Sequence, residues 1–591
     1  MSQEVQQIDL IEQIEEKFDA KKSKSKHLSG NTTTLSKDDM YLQSLGYKSE
    51  LYRGFNAFMS FTMVFTSVGV ICSNSLVFEY GLNTGGPVML TWGWIVGSIF
   101  TYMIALSLAE ITSTYPVSGS TYHWAGLLAK REHAGIASFI CGWFSFLGNS
   151  ACDASYAYGF AQIVAAIVQL TSNGAVQLSN QHMVAIAIGC MFSFAIKNIA
   201  KMDAQGWFNN GSAIYQAVST LVIIIAIVSA APSRSSSEFV WAGYYNTTGM
   251  DNAFYVCIIG LLTTLYGMSG YEAASQVSEE TQNAQVSAPK GIVQGVIAAV
   301  VTGLAFFVGL LYAMNEDYDQ ALENGLTDQP VVNIFHMAFP SSKAGSLAMS
   351  ILLAINVYLG GFSHMTVTTR VVFAMSRDGV FPGSKYITGV HGKSQLPLKS
   401  ILFVFVVDSI IVLLPLISDT AFSAITQIST IGYSISYAIP IILRVTVSRK
   451  TFVQGPWNIG NWSVSNGIIA SIFLVSTSIC FFFPTSFDEN MQQTIEDFNW
   501  TIVVFGGALV IAGTYWFLPK SLGGARHFFT GPVRPEDVLE NGQFKEQKLV
   551  AIVNKHTSQN SVKMQLDLPD DLEVIDIIPN EPENKSIPPV K

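Results

Sequence analysis

Tyr266-Gly267-Met268-Ser269-Gly270-Tyr271-Glu272 interrupts an apolar run near residues 253–275 that is long enough to cross a bilayer. About 30 Å of hydrocarbon takes about 20 residues at about 1.5 Å each. In lipid an unpaired backbone N–H or C=O costs several kcal/mol, so a broken span must line a cavity or be buried in protein. Five spans earlier, Thr66-Ser67-Val68-Gly69-Val70, followed by Cys72-Ser73-Asn74-Ser75, carries the same weakness. A glycine pair in one span alone is accounted for by close helix packing. Two interrupted spans at matching places in two halves point instead to a midplane site between inverted repeats. Opened helix N-termini offer N–H donors to a carboxylate, and opened C-termini offer carbonyls to a cation. An amino acid carries both groups.

The rest of the chain suits that setting. Of 591 residues, 49% are hydrophobic and only 13% charged, against about 25% charged in a soluble domain. The net charge of -10 leaves no basic footprint for nucleic acid. A disordered chain, a nucleic-acid binder and an ordinary cytosolic enzyme are excluded, and the expected solvent is the lipid bilayer. About twelve apolar runs lie near 55–78, 86–109, 136–170, 181–200, 207–231, 253–275, 291–314, 344–375, 398–417, 421–444, 464–484 and 499–518. The fold class is therefore an all-α polytopic membrane protein. The six cysteines form no C-x-x-C pair, so neither a disulfide framework nor a zinc site is expected. Catalytic signatures and the phosphate-binding G-x-x-x-x-G-K-[ST] loop are absent from the sequence. No enzyme, metal or cofactor is expected, and the driving energy is expected from a gradient.

Loops after even-numbered spans carry Lys130, Arg131, Lys197, Lys201, Arg377, Lys385, Lys393, Lys399, Arg449 and Lys450. Loops after odd-numbered spans carry few basic residues (Arg234, Lys343). They hold Glu316, Asp317, Asp319, Glu323, Asp488, Glu489, Glu496 and Asp497 instead. The positive-inside rule puts both termini in the cytoplasm, as twelve spans require. Asn246-Thr247-Thr248 falls in an outer loop as a glycosylation candidate. The tails at 1–45 and 521–591 lack the apolar residues to bury a core and read as solvated, mostly disordered segments. Cytoplasmic regulators are the partners such tails would admit.

Ionisable groups inside a membrane are costly and usually functional. Glu272 adjoins the sixth-span break. Asp153 lies mid-way along the third span in Asn149-Ser150-Ala151-Cys152-Asp153, and Asp408 lies in the ninth. A carboxyl in low dielectric favours its neutral form and can take up a proton on one side and release it on the other. Glu272 and Asp153 are thus coupling candidates. Nothing in the sequence near Asp408 suggests a cavity, and His364 in the eighth span reads as a packed, hydrogen-bonded residue or a relay. Tyr266, at the break, is placed to close over a substrate or stack on a cation.

Several stretches resemble amino acid permeases. They include Gly85-Gly86-Pro87 through Trp92-Gly93-Trp94, then Ala109-Glu110-Ile111, and Tyr115-Pro116-Val117-Ser118-Gly119-Ser120-Thr121-Tyr122-His123-Trp124. Others are Ser278-Glu279-Glu280-Thr281-Gln282-Asn283-Ala284, Arg370 through Ser376-Arg377-Asp378-Gly379, and Gly455-Pro456-Trp457-Asn458-Ile459-Gly460. From about residue 45 to 525 the chain is similar to the amino acid–polyamine–organocation superfamily, in its fungal-type GABA/choline branch. The resemblance implies a leucine-transporter-like, five-plus-five inverted repeat: 46–231 as spans one to five, 232–447 as spans six to ten, and two extra spans at 448–520. It implies substrate held by Ser67, Val68, Gly69 and Val70 of the first span and by Tyr266, Gly267, Met268, Ser269 and Gly270 of the sixth. Asn149 and Asp153 of the third span join them. It makes Tyr266 the aromatic gate and Glu272 the coupling acid. Arg53, Glu280, Arg370 and Asp378 would then close the cytoplasmic mouth.

The sequence departs from relatives in two places. The first break reads Ser-Val-Gly-Val rather than Gly-Ser-Gly, and Ala157 stands before Tyr158-Gly159 where an acid is common. These departures leave the substrate open. The expected function is import of an amino acid or related amine such as GABA by proton symport with alternating access. Alternatives are a choline or polyamine permease of the same fold, or a transporter-like nutrient sensor acting through its tails. Sodium is the alternative ion. The expected location is the plasma membrane, with vacuolar or other internal membranes as alternatives.

Overall fold

Asn56 starts the first span: its side chain accepts the Met59 N–H at 2.9 Å, an N-cap that satisfies one orphan donor. The helix Ala57–Val68 stops at Gly69 and restarts as Val70–Leu76. The computed structural model to which these helices belong describes residues 36–47, 51–200, 202–390, 396–417, 421–483, 501–529 and 531–534. Lys201, Lys393 and the acids at 488–497 lie outside the described residues, as do most of both tails.

Among the described residues, nine helices are long and apolar enough to cross a membrane, and two shorter apolar helices, Ala253–Gly267 and Thr501–Phe517, accompany them. With Asn180–Lys197 they account for the twelve runs expected. The second to fifth spans are Trp94–Thr114, Ala134–Ser172, Asn180–Lys197 and Met202–Ala230. The sixth comprises Ala253–Gly260, Leu262–Gly267 and, after a break, Ala273–Gln276. The seventh to twelfth are Ala284–Ala313, Lys343–Asp378, Leu398–Ile411, Ala421–Val445, Ser463–Cys480 and Thr501–Phe517. The broken spans are five apart, and so are the two longest helices, the third and the eighth.

The outer faces leave Ile225, Val301, Ile472 and Val510 each more than 60% exposed. Such a sheath is what a hydrocarbon solvent selects, because apolar side chains lose nothing by facing lipid tails. Inside, helices approach closely. A side chain on Gly432 of the tenth span would meet the backbone of Gly148 in the third at 2.8 Å, so the two spans touch main chain to main chain. Trp94 is fully buried, donates to the Val300 carbonyl at 3.1 Å and packs edge-on against Phe307.

One expectation needs correction. Residues 36–45 belong to the fold and are not a disordered tail. The helix Lys37–Ser44 is capped by Ser36, and Leu42, Leu45 and Tyr47 bury against Val117. Asp38 accepts the N–H groups of Asn283 and Ala284 at 2.8 and 3.3 Å, and Asp39 pairs with Arg53 at 2.8 Å. These partners are far away in sequence, so local composition gives no sign of them. The Asn246 sequon is folded in on itself: Nδ2 donates to the Met250 carbonyl at 2.8 Å, Oδ1 accepts from Thr248, and Thr248 is buried. Asn246 is a half-buried Asx-turn residue that holds its loop.

Candidate functional site

At the first break the interruption is a single residue. Gly69 has φ 46° and ψ 52°, a left-handed conformation that favours glycine because a Cβ crowds the following carbonyl. Ser67 and Val68 remain helical, and their exposed carbonyls are met from outside. The Tyr156 hydroxyl, from the third span, lies 3.1 Å from Ser67 O and 2.8 Å from Val68 O. Ser73 Oγ donates to Val68 O at 2.9 Å. Ser67 Oγ and both amide atoms of Asn74 are buried with no hydrogen-bond partner. That is the pattern of groups waiting for a ligand or water. Val68 and Val70 are buried in the surrounding core.

The sixth-span break lies slightly later than the sequence suggested. The helix continues through Gly267, and Met268 to Glu272 form the turn, with Gly270 at φ 83°. A side chain at Gly267 would collide with the Asn74 amide, and one at Gly270 would meet His364 Nε2 at 3.4 Å. Positions 267 and 270 therefore face the first and eighth spans. Met268 and Ser269 point elsewhere: Ser98 Oγ of the second span reaches Met268 Sδ, and Ser269 faces a narrow recess of about 10 Å³ shared with Thr101, Ser434 and Leu474. Tyr266 is buried and bonds Ser155 Oγ at 2.7 Å, tying the sixth span to the third rather than capping the break. Glu272 accepts from the Tyr437 hydroxyl on one oxygen and from Gln276 Nε2 at 2.9 Å on the other. Tyr437 also receives the Gly270 N–H at 3.3 Å, so the tenth span clamps both sides of the turn.

Between the breaks lies a polar chain of side chains from three spans. Asp153 Oδ1 is 2.7 Å from His364 Nδ1; His364 Nε2 is 2.8 Å from the Tyr433 hydroxyl; Tyr433 donates to Asn149 Oδ1 at 3.0 Å. All four residues are buried. Asp408 sits beside Asp153 and Ser150, with neither oxygen in a well-formed hydrogen bond. The sequence missed this proximity because 255 residues separate the two acids.

The four residues expected at one mouth fall at one end of the bundle, in three clusters. Arg370 Nε is 3.3 Å from Glu280 Oε2, both fully buried, with Thr369 and Gln205 also accepting from the guanidinium. Burial pushes the Glu280 carboxyl above the usual range, and Arg370 pulls it part of the way back. Arg53 bonds Asp39 and the carbonyls of Ser278 and Thr281. Asp378 accepts from Tyr47 and Tyr122 at 3.1 and 2.9 Å. The sequence did not single out Glu279 and Arg377, which form a fork of 3.0 and 3.1 Å. Both stand beside residues it named, within the same motifs. The Phe55 N–H donates to Glu280 O at 2.9 Å, joining the entry to the first span with the exit from the sixth.

Broken apolar spans around buried ionisable groups, sealed by ion pairs at one end, define a polytopic helical permease. A profile of the family described as "Amino acid permease" matches residues 55–508, and the chain belongs to that family. It is 32% identical over 502 residues to the Amino-acid permease BAT1 of Arabidopsis thaliana, covering 83% of this chain and 95% of the relative. It is 28% identical to Amino-acid permease 2 of Neurospora crassa, over 85% of this chain and 90% of the relative. It is 27% identical to the GABA-specific permease of Saccharomyces cerevisiae, over 84% and 86%.

Proposed function

We propose that the protein imports an amino acid or a related amine such as GABA by proton symport, with alternating access around the two breaks. The observation that carries this reading is the pair of breaks, Gly69 and Met268–Glu272, with the unpartnered Asn74 amide against Gly267 and the Ser67 hydroxyl buried and unpartnered at the first break. The carboxyls Glu272 and Asp153 at the same level supply candidate proton carriers. The kinship with a yeast GABA-specific permease supports an amine-bearing substrate. Rocking one repeat-derived bundle against the other would expose the breaks to each side in turn. The cluster of Glu280, Arg370, Glu279 and Arg377 would close the cytoplasmic side.

Both termini are proposed to be cytoplasmic, in the plasma membrane. The described terminal segments support that orientation: Tyr47 bonds Asp378, and Arg534 bonds the carbonyls of Gly126 and Ala129, next to the basic residues Lys130 and Arg131. The test is uptake into proteoliposomes with and without a pH gradient, using labelled GABA competed by amino acids, choline and polyamines. Saturable, gradient-driven accumulation competed by amino acids supports the reading. Competition by choline or polyamines alone replaces the substrate class, and uptake driven by sodium replaces the ion.

A further inference from the structure

We infer that the transported proton resides on the His364–Asp153 pair. This rests on the symport reading above and gives that proton a place. Asn149 Nδ2 donates to the Ser145 carbonyl at 2.8 Å, which fixes the amide and leaves Oδ1, purely an acceptor, toward Tyr433. The Tyr433 hydroxyl has one hydrogen and gives it to that oxygen. Its own oxygen is therefore the acceptor in the 2.8 Å contact with His364 Nε2, so Nε2 bears a hydrogen. A neutral imidazole has one N–H only. Nδ1 would then be bare, yet it stands 2.7 Å from Asp153 Oδ1, and two acceptors do not meet at that distance. One extra proton is held between them, as imidazolium with carboxylate or as imidazole with carboxylic acid.

The surroundings keep it there while the site is closed. The titratable groups around His364 are Cys152, Asp153 and Tyr156 of the third span, Asp408 of the ninth, Tyr433 of the tenth and Glu272 of the sixth. Asp153 Oδ2 and both Asp408 oxygens are in no well-formed hydrogen bond. Loss of the proton would leave the Asp153 carboxylate uncompensated in low dielectric, beside a second acid. Glu272 differs, since both its oxygens already accept from donors; it is a positioning residue for the break. In transport the pair takes a proton from water on one side and returns it on the other. Only N–H and O–H bonds form and break.

The test compares Asp153→Asn, His364→Gln and Glu272→Gln. The side-chain amide that Asp153→Asn introduces can donate to His364 Nδ1 as the proton does now, without titrating, so the hydrogen-bond chain and fold survive. In purified protein, infrared pH-difference spectra of the wild type are expected to show carboxyl and imidazole bands that Asp153→Asn and His364→Gln lose and Glu272→Gln retains. In proteoliposomes, labelled GABA uptake by the first two becomes independent of external pH and loses gradient-driven accumulation. Glu272→Gln slows uptake but keeps the wild-type pH profile. Bands that persist in both Asp153→Asn and His364→Gln overturn the inference, as does pH-driven accumulation in either. If wild-type GABA uptake ignores the gradient while the bands vanish in those variants, the symport reading fails and the proton-holding pair stands.

Discussion

The Tyr156 hydroxyl lies 2.8 Å from the carbonyl of Val68, a contact that spans 88 residues of chain and stabilises the opened first span. Tyr156→Phe leaves Ser73 on Val68 O but strips the Ser67 carbonyl of its donor. An orphaned buried acceptor costs about 1–3 kcal/mol. The expected outcome is a lower melting temperature in detergent together with reduced uptake, measured on the same preparation. Unchanged melting would show that water caps that carbonyl equally well.

Gly69→Ala forces a Cβ into a left-handed residue and to 2.9 Å from the Tyr156 hydroxyl. The backbone term alone is about 1–2 kcal/mol. Because Gly69 is the whole of the first break, uptake is expected to fall further than the melting temperature suggests. Equal losses across Gly69→Ala and an outer-face glycine variant such as Gly507→Ala, where a Cβ meets nothing within 4 Å, would deny the break any special part.

Glu280→Gln leaves the Arg370 charge buried without its carboxylate. Removing one partner of a buried pair costs about 3–5 kcal/mol, whereas removing both charges together is often neutral. Thermal denaturation should therefore show Glu280→Gln as strongly destabilising and Glu280→Gln with Arg370→Met as partly restored.

His123, in the helix Ser120–Leu128 outside the spans, is buried beside Tyr47, and burial lowers its pKa to about 3. Below its ordinary value near 6.5 the unfolded chain gains a proton that the folded protein refuses. Stability should fall by up to about 1.4 kcal/mol per pH unit as pH drops from that value toward the folded one. Melting curves across that window, compared with His123→Gln, check this; a variant with the same acid loss would assign it elsewhere.

The breaks were legible because glycine and serine in an apolar run defy the one helical solution lipid permits, and because the pattern recurs five spans on. The register within them was not. Gly267 and Gly270 face the centre while Met268 and Ser269 face the second span and its recess, a distinction set by the turn's own geometry. Tyr433 and Tyr437 hold both the proton-bearing pair and Glu272, yet tyrosines one helical turn apart in an apolar span read as core. Asp408 looked isolated because its neighbours in sequence are apolar, while its neighbour in space is Asp153. The helix Lys37–Ser44 is short and polar, and its stability comes from Arg53 and the N–H groups at residues 283–284, which no local window contains.

The claim that the first-span break touches the substrate is tested most directly by thiol labelling of Ser67→Cys in proteoliposomes. The Ser67 hydroxyl is buried and unpartnered. A methanethiosulfonate reagent should block uptake in this variant, and saturating GABA or a competing amino acid should slow the labelling, while Val503→Cys on the outer face labels at a rate the substrate leaves alone. Labelling of Ser67→Cys that proceeds at the same rate with and without every transported compound would contradict it.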